Sequence, residues 1–416
     1  MCKIGSVVVV GGVRRSALIS LSDLQDQEMA LAKSGEWWNN EGQRALANNS
    51  VCYKEKPPIG IFMKEWLTLY NSKSGERGIY NRQSAVEKSL ENGRRNADYD
   101  FGTNPCSEII LRPYQFCNLT EVVVRADDKI VDLERKIELA TILGTIQSTL
   151  TDLKYLRKIW KDNTEEERLL GVSLTGIMDN ELLNTASAGY LSDLLSQLKQ
   201  VAVDTNLGLS EQLGIPQSTA ITCVKPSGTV SQLVDSASGI HARHSEYYIR
   251  TVRGDKKDPL TQFMQSAGVP VEDDIMQPDS TVVFSFPVKS PKKAVTRNDT
   301  GALEQLNLWL KYQKNWCEHK PSVTITVKED EWLDVGAWVY ENFNDVAGIS
   351  FLPHSDHTYK QAPYQECTKE EYLDLKKRMP KNINWQDLSE LEKEDSTRGG
   401  QELACTADSC EIVDIT

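Results

Sequence analysis

A chain of 416 residues with 39% hydrophobic and 26% charged residues, and a mean hydropathy of -0.44, has the make-up of a globular protein with one large α/β domain or two ordinary ones. Its net charge of -13 excludes general nucleic-acid binding, which draws on clustered Lys and Arg, but leaves room for a nucleotide held by a few amides and one arginine. No apolar run approaches the roughly 20 residues of a membrane helix, nothing at the start suggests secretion, and nine cysteines without a Cys-x-x-Cys pair read as reduced thiols, neither a disulfide scaffold nor a zinc site.

In chain order, residues Ile4 to Arg15 read as a buried strand, Val7-Val8-Val9-Val10, running into Gly11-Gly12-Val13-Arg14-Arg15-Ser16. Such a strand needs a neighbour from upstream or from another chain. The loop after it offers amides and guanidinium groups to an anion, although a plain turn is the simpler account of these residues alone. Phe62, Met63, Trp66, Leu67 and Tyr70 fall at helical spacing, a core-facing stripe. Gly78 to Arg82 reads as a short strand.

The sequence Asn104-Pro105-Cys106-Ser107-Glu108 follows a polar, glycine-bearing stretch and so predicts a loop, with Ile109-Ile110-Leu111 a buried strand or its edge. A second cysteine, Cys117, lies eleven residues after Cys106. The loop sets an amide, a thiol and a carboxylate within five residues; read alone, it is equally a structural cysteine beside a solvated glutamate. A strand is expected at Glu121 to Val124. Helices are expected over Leu133 to Leu156, over Glu165 to Met178 behind a capping-box-like Asn163-Thr164-Glu165-Glu166, and over Tyr190 to Leu213.

Thr219 to Val224 reads as a strand followed at once by Lys225-Pro226-Ser227-Gly228-Thr229-Val230-Ser231 and a helix start. Free amides and small hydroxyls in that arrangement hold phosphate in α/β proteins, although the Walker order Gly-Lys-Ser is absent. Further strands at Thr281 to Phe286, Ser322 to Val327 and Gly348 to Leu352 alternate with helices at Ala302 to Glu318 and Asp330 to Asn342. That alternation implies a mainly parallel sheet or barrel with helices outside. From about Leu388 the chain turns charged and glycine-bearing, a flexible tail ending in Cys405-Thr406-Ala407-Asp408-Ser409-Cys410, a pair better suited to redox exchange than to metal binding.

With these pieces placed, the chain resembles the class II, adenosylcobalamin-dependent ribonucleotide reductases. Asn104 to Glu108 with Cys117 resembles that family's catalytic loop. Gly11, Gly12, Val13, Arg14, Arg15 and Ser16 resemble the loop linking the specificity effector to the substrate. Pro226, Ser227, Gly228, Thr229, Val230 and Ser231 resemble the substrate-phosphate turn, continued by His241-Ala242-Arg243-His244-Ser245 in the style of the triphosphate-reducing members. Cys405 and Cys410 resemble the tail pair.

The resemblance implies an α/β fold, the C-terminal part of a ten-stranded α/β barrel with a central finger loop at about 102–120, over residues 1–387, and a redox tail over 388–416. It implies Cys106 as thiyl radical, Glu108 as general base, Asn104 as the substrate-orienting amide, and Cys117 as half of the reducing thiol pair. Cys405 and Cys410 would then reduce the resulting disulfide, with a thioredoxin- or glutaredoxin-type reductant behind them. Adenosylcobalamin is the implied cofactor. A ribonucleoside triphosphate is favoured over a diphosphate as substrate, a deoxynucleoside triphosphate or ATP is the effector, and the cytoplasm is the location.

One departure stands out. In the family the partner of Cys117 lies on a strand upstream of the effector loop, and here only Cys2 precedes that loop. A separately supplied N-terminal portion is therefore an expected partner. The alternatives are a non-catalytic nucleotide-binding or hetero-association half-domain, or a fragment of a class I large subunit. Tyr247-Tyr248 could suggest the tyrosine relay of class I enzymes but reads as core packing. Cys52, Cys223, Cys317 and Cys367 read as inert packing or surface residues, and His241 and His244 as structural as readily as substrate-facing.

Overall fold

The computed structural model describes residues 1–5, 9–10, 13–14, 17–185, 187, 189–275, 277–354 and 360–392, with backbone only at 9–10, 13–14 and 38–39. The buried strand expected over Ile4 to Arg15 is instead a helical turn at Cys2–Gly5 and a short antiparallel pair, Val9–Val10 (β1) with Val13–Arg14 (β2).

Next come Leu18–Ser22 (β3), Ala47–Tyr53 (β4) and Gly78–Asn81 (β5), all parallel. Gly102–Thr103 (β6) and Ile110–Leu111 (β7) close a small antiparallel hairpin around the Asn104–Ile109 loop. Asn118–Val123 (β8), Leu170–Thr175 (β9) and Thr222–Cys223 (β10) form a second parallel sheet. Tyr247–Asp255 (β11), Val271–Asp273 (β12) and Thr281–Lys289 (β13) follow, then Thr324–Val327 (β14), Gly348–Pro353 (β15) and Tyr364–Glu366 (β16).

The parallel sheets are stitched together. Val224, just past β10, donates to the Lys320 carbonyl at 3.2 Å and accepts from the Ser322 amide at 2.8 Å, joining β10 to the segment that enters β14. β14 pairs parallel with β15, and β15 pairs antiparallel with β5. The outcome is one run, β8-β9-β10-β14-β15-β5-β4-β3, from a three-stranded and a five-stranded sheet. Helices cover it, as the alternating pattern predicts: Ile59–Ser72, Ile130–Gln147, Leu191–Leu213, Ala302–Asn315 and Trp332–Glu341. Trp309, Tyr312 and Trp316 are fully buried beneath β10 and β14, with the Trp309 and Trp316 indoles donating to the Pro321 and Cys223 carbonyls at 2.8 and 2.7 Å. Among the described residues no helix is long and apolar enough to cross a membrane.

Three further expectations are corrected. The helix expected over Glu165 to Met178 is really the end of a helix, Lys158–Glu167, followed by strand β9. Arg168 stops the helix in a left-handed conformation at φ 47°, and every residue of β9 is buried, as a central parallel strand covered on both faces requires. Gly171 is a strand glycine: a Cβ there would fall 2.4 Å from Leu119 Cδ2 on the neighbouring strand.

The second correction concerns β13, which does not join the parallel run. It lies in an antiparallel sheet, β12-β13-β11-β16, with nine residues of β11 and β13 in register from Tyr247↔Lys289 to Asp255↔Thr281. The third is the helix over Leu133 to Leu156, which ends at Gln147. Leu133, Ile137 and Ala140 face the core as expected, but Leu143, Ile146 and Leu150 are 63%, 49% and 74% exposed. The packed face continues instead through Thr141, Gly144 and Thr145, because a Cβ at Gly144 would stand 2.2 Å from Leu170 on β9.

Candidate active site: the Cys106 loop and its cavity

The loop between β6 and β7 is held by its own polar groups. Asn104 Oδ1 accepts from the Ile109 amide at 2.9 Å, the Ser107 amide donates to the Asn104 carbonyl at 2.9 Å, and Thr103 Oγ1 donates to the Ile109 carbonyl at 2.8 Å. These bonds pinch the loop into a tight turn, and Ser107 takes a left-handed φ of 67° at its tip. Asn104 is thus a residue that shapes the loop as well as one that presents an amide.

Two walls clamp the loop from outside. On the β5 side, the buried Tyr80 hydroxyl donates to the Phe101 and Gly102 carbonyls at 3.2 and 3.0 Å, and Arg82 Nε donates to Phe101 at 2.9 Å. On the β14 side, the Lys320 amide donates to the Glu108 carbonyl at 2.9 Å, and the Ile110 amide donates to His319 Nδ1 at 3.3 Å while His319 Nε2 donates to the Leu170 carbonyl at 2.9 Å. Both His319 nitrogens are committed with the ring neutral, and burial holds its pKa well below the usual imidazole range. None of Tyr80, His319 or Lys320 was flagged by the sequence, because their roles rest on contacts across up to 213 residues.

Cys106, half-buried at the turn, lines a cavity of about 610 Å³. Ser107, Pro226, Ser322, Gly348 and Ser350 line the same cavity, so the thiol loop and the start of the Pro226–Ser231 turn open into one space. Glu108, next to Ser107 in the turn, is not among the residues that line this cavity. It is 1% exposed, its Oε2 has no hydrogen-bond partner, and burial pushes its carboxyl pKa up against the pull of an Asn104 hydrogen bond and the Lys225 and Lys320 charges. Cys117, immediately before β8, sets its sulfur against Gly171, where a Cβ would lie 3.3 Å from it. Burial, and then the Glu108 charge, push the Cys117 thiol well up, so it stays protonated at neutral pH.

The Pro226–Ser231 turn is anchored from below. The Lys225 amide donates to Ser173 Oγ on β9 at 2.8 Å, and Gly239, at φ 55°, packs so closely that a Cβ would fall 2.2 Å from the Lys225 carbonyl oxygen. Ser227 takes a left-handed φ of 52° and hydrogen-bonds the Glu121 carboxylate, while Ser231 Oγ meets Ser238 Oγ at 2.8 Å. Gly228, Thr229 and Val230 are exposed, and the helix that follows, Val230–Leu233, is a single turn. The Glu121 contact was not foreseen, since its strand position gave no sign of which face it takes.

The histidines of the following segment are packed within the protein. His241 Nδ1 donates to the Ser238 carbonyl at 2.9 Å and its Nε2 accepts from the Thr324 amide at 3.0 Å. His244 stacks on Tyr364 at 5.6 Å, its pKa pushed down to about 3 by burial and the Arg297 charge. Arg243 between them forms a buried pair with Asp179 at 2.9 Å. Tyr247 and Tyr248 pack on β11, against Tyr372 and under Arg243 Nη1 at 3.2 Å, away from the loop hairpin. Cys52, Cys223 and Cys317 are buried, and Cys367 is half-buried. Val13 and Arg14 are seen only as the β2 backbone; Gly11, Gly12, Arg15 and Ser16, with Cys405 and Cys410, lie outside the described residues.

This arrangement matches a known class of fold. A solved B12-dependent, class II ribonucleotide reductase superposes with a TM-score of 0.71 at 22% identity, over 91% of this chain and 56% of that one. The Actinobacillus ureae class Id ribonucleotide reductase alpha subunit superposes with a TM-score of 0.58 at 15% identity, over 85% of this chain and 73% of that one. The fold is therefore an α/β fold of the ribonucleotide reductase kind.

The sequence comparison narrows the likeness. The chain is 28% identical over 423 residues to the adenosylcobalamin-dependent ribonucleoside-triphosphate reductase of Euglena gracilis, covering 98% of this chain and 55% of that protein. It is 28% identical over 436 residues to that of Lactobacillus leichmannii, covering 95% and 57%. It is 29% identical over 431 residues to the probable one of Dictyostelium discoideum, covering 99% and 53%. The resemblance to class II reductases read from the motifs thus extends over nearly the whole chain, while the chain spans about half the length of the curated relatives it matches. No family model matches the chain.

Proposed function

We propose that this chain is the catalytic portion of an adenosylcobalamin-dependent ribonucleoside-triphosphate reductase, working with a separately supplied N-terminal portion. The observation that carries the reading is the shared cavity. It has the half-buried Cys106 thiol on one wall and Pro226, at the start of the expected phosphate turn, on another. At about 610 Å³ it is of a size to take a nucleotide.

In this reading Cys106 Sγ, as a thiyl, takes the hydrogen atom from the ribose 3' carbon, forming S–H and a carbon radical. Glu108 takes the 3'-hydroxyl proton as the 2'-hydroxyl, protonated by one of the reducing thiols, departs as water, and returns that proton to the 3' oxygen when the 3' carbon is reduced. Cys117 and a partner thiol supply two electrons and two protons and become a disulfide, and Cys106 returns its hydrogen to the 3' carbon. Asn104 orients the substrate, with its loop-bracing bond to Ile109 fixing the amide plane. The phosphates would meet Pro226, Ser227, Gly228, Thr229, Val230 and Ser231, of which the 228–230 amides are on the exposed side. Cys405 and Cys410 would reduce the Cys117 disulfide and be regenerated by a thioredoxin- or glutaredoxin-type protein, in the cytoplasm.

The Trp37 ring lines the Cys106 cavity and would stack on the adenine of the cofactor's nucleoside. Bound there, adenosylcobalamin supplies the radical that starts the reaction. The run β8 to β3 is proposed as the larger part of a ten-stranded barrel, the N-terminal portion filling the gap between the β8 and β3 edges and bringing the thiol that faces Cys117. Gly11, Gly12, Val13, Arg14, Arg15 and Ser16 are proposed as the loop that answers to a deoxynucleoside triphosphate or ATP effector.

Mixing the chain with that N-terminal portion, adenosylcobalamin, a ribonucleoside triphosphate and a dithiol is expected to yield deoxynucleotide, and Cys106→Ser to abolish it. A mixture that forms the complex yet never reduces substrate overturns the reading. A second reading, a non-catalytic nucleotide-binding or hetero-association half-domain, expects nucleotide binding without turnover in every combination. A class I fragment would instead depend on a di-metal subunit and not respond to cobalamin.

A further inference from the structure

The turn that follows β10 is held from below by two residues that stand opposite each other on neighbouring strands. Glu121 on β8 and Ser173 on β9 are registered partners, so their side chains leave the sheet on one face. Ser173 Oγ accepts the Lys225 amide at 2.8 Å, and the Glu121 carboxylate accepts the Ser227 hydroxyl. Leu119 and Cys117 lie on the same face of β8, where a Cβ at Gly171 would stand 2.4 Å from Leu119 Cδ2 and 3.3 Å from Cys117 Sγ. Just past β8, Arg125 Nη1 donates to the Val234 and Asp235 carbonyls at 2.6 and 3.0 Å. One strand thus grips both ends of the segment that carries the turn.

Ser227 has little freedom left. It is 5% exposed, and its backbone holds a left-handed φ of 52°, which a non-glycine residue keeps only where its surroundings fix it. Its carbonyl accepts the Ser231 amide at 3.3 Å and the Ser231 hydroxyl. A serine hydroxyl has one proton to give. Here that proton lies in the bond to Glu121, and an ionised phosphate, which offers acceptors only, has no use for what remains. Ser231 is fully buried, its hydroxyl set between the Ser227 carbonyl and Ser238 Oγ. The residues of the turn that face outward are Gly228, Thr229 and Val230.

We propose, resting on the reading of residues 226–231 as the phosphate turn, that Glu121 is a positioning residue for that turn. By taking the Ser227 proton it makes this serine an anchor and not a phosphate ligand, and leaves the triphosphate to the 228–230 backbone and the Thr229 hydroxyl. A carboxylate beside a polyanion site is unfavourable by its charge alone. What it gives in return is the stronger bond that an ionised acceptor makes to a hydroxyl. The two roles for Ser227 predict opposite signs. With Glu121 as the anchor, removing it loosens the turn and weakens binding. Were Ser227 to leave Glu121 and donate to phosphate, removing the carboxylate would free the hydroxyl, take away a repelling charge and tighten binding.

Calorimetric titration of the full chain with cytidine triphosphate tests this without turnover. Glu121→Ala is expected to weaken binding about tenfold, the size of a hydrogen bond to a charged group. Glu121→Gln, whose amide oxygen still accepts the hydroxyl, should stay within about threefold of wild type. Ser227→Ala should weaken binding as much as Glu121→Ala, and the double variant no further, because the two residues act as one bond. Glu121→Met keeps the length of the side chain and decides the matter if Glu121→Ala does not fold. Binding as tight as wild type or tighter in folded Glu121→Ala or Glu121→Met, losses that add in the double variant, or Glu121→Gln as weak as Glu121→Ala overturns the proposal. Gly228→Asp, which sets a negative charge among the outward residues, reports on the phosphate reading itself. Wild type that binds no cytidine triphosphate, or binding unmoved by Gly228→Asp, overturns that reading and the proposal with it. Weakening by Gly228→Asp without weakening by the Glu121 variants overturns the proposal alone.

Discussion

The side-chain amide of Asn48, on β4, donates to the carbonyl of Pro105 at 2.8 Å, fixing the peptide that carries Cys106. The loop is therefore tied at its tip to one sheet, at its stem to β5 through Tyr80, and at its base to β14 through His319 and Lys320. A thiol on so many anchors keeps its place relative to a substrate, which is what positioning catalysis requires.

Asn48→Ala removes the anchor at the tip and leaves the rest. The lost bond is worth about 1 kcal/mol. The Ser107 amide, bonded to the Asn104 carbonyl across the turn, should then exchange with deuterium about fivefold faster, while the Tyr80 and His319 anchors keep the hairpin formed. Unchanged Ser107 exchange would show that the tip is held without Asn48.

Gly239→Ala tests the support under the Pro226 turn. The residue sits at φ 55° and an added Cβ would be 2.2 Å from a main-chain oxygen, so both strain and a clash follow. Destabilisation of about 2–4 kcal/mol is expected in urea unfolding, with ribonucleotide affinity falling in whatever folds. A variant as stable as the wild type would mean that Lys225 and Pro226 can shift.

Arg95 and Glu167 form a buried pair, Nη2 to Oε2 at 2.9 Å and Nε to Oε1 at 3.1 Å, with Gln115 bonded to both partners. The pair locks the segment between Cys106 and Cys117 to the end of the Lys158–Glu167 helix. Arg95→Met leaves the buried Glu167 carboxylate without its cation, with only the Gln115 amide against it, and should cost about 3–5 kcal/mol. Arg95→Met combined with Glu167→Met should recover much of that, as measured by a double-mutant cycle.

Two groups in the site make opposite contributions to stability with pH. Glu108 has a folded pKa above its ordinary 4.5, so the folded state binds more protons than the unfolded one and Glu108 lowers stability as pH rises above about that value. Glu108→Gln should therefore gain stability relative to wild type as pH is raised from 4.5. Lys320 has a folded pKa of about 7 against an ordinary 10.5, so its burial is most costly below pH 7 and the cost fades between 7 and 10.5. Lys320→Met should be more stable than wild type below pH 7, the advantage shrinking up to pH 10.5, in unfolding curves taken across that range.

Much of the site was legible in the sequence where chemistry and local backbone coincide. Asn104, Cys106 and Glu108 share one turn, and the small-residue turn after Val224 follows a strand, so both could be read without knowing any partner. β9 was misread because Leu170 to Thr175 satisfies a helical stripe as well as a buried strand, and only its place between β8 and β10 decides between them. β11 and β13 were missed as an antiparallel pair because pairing is a property of two segments, and neither carries its partner's address.

By itself, then, the sequence determined which residues could do chemistry, Cys106, Glu108 and Cys117, and that they sit on or beside a loop in an α/β chain, since turn formation and strand–helix alternation are local preferences. Only the tertiary structure decided that Glu108 is buried while Cys106 faces a cavity shared with Pro226, and that Tyr80, His319, Asn48 and Lys320 hold them so. Those outcomes follow from burial and from hydrogen bonds between distant strands, whose energies depend on what lies across the fold and not on what lies next in the chain.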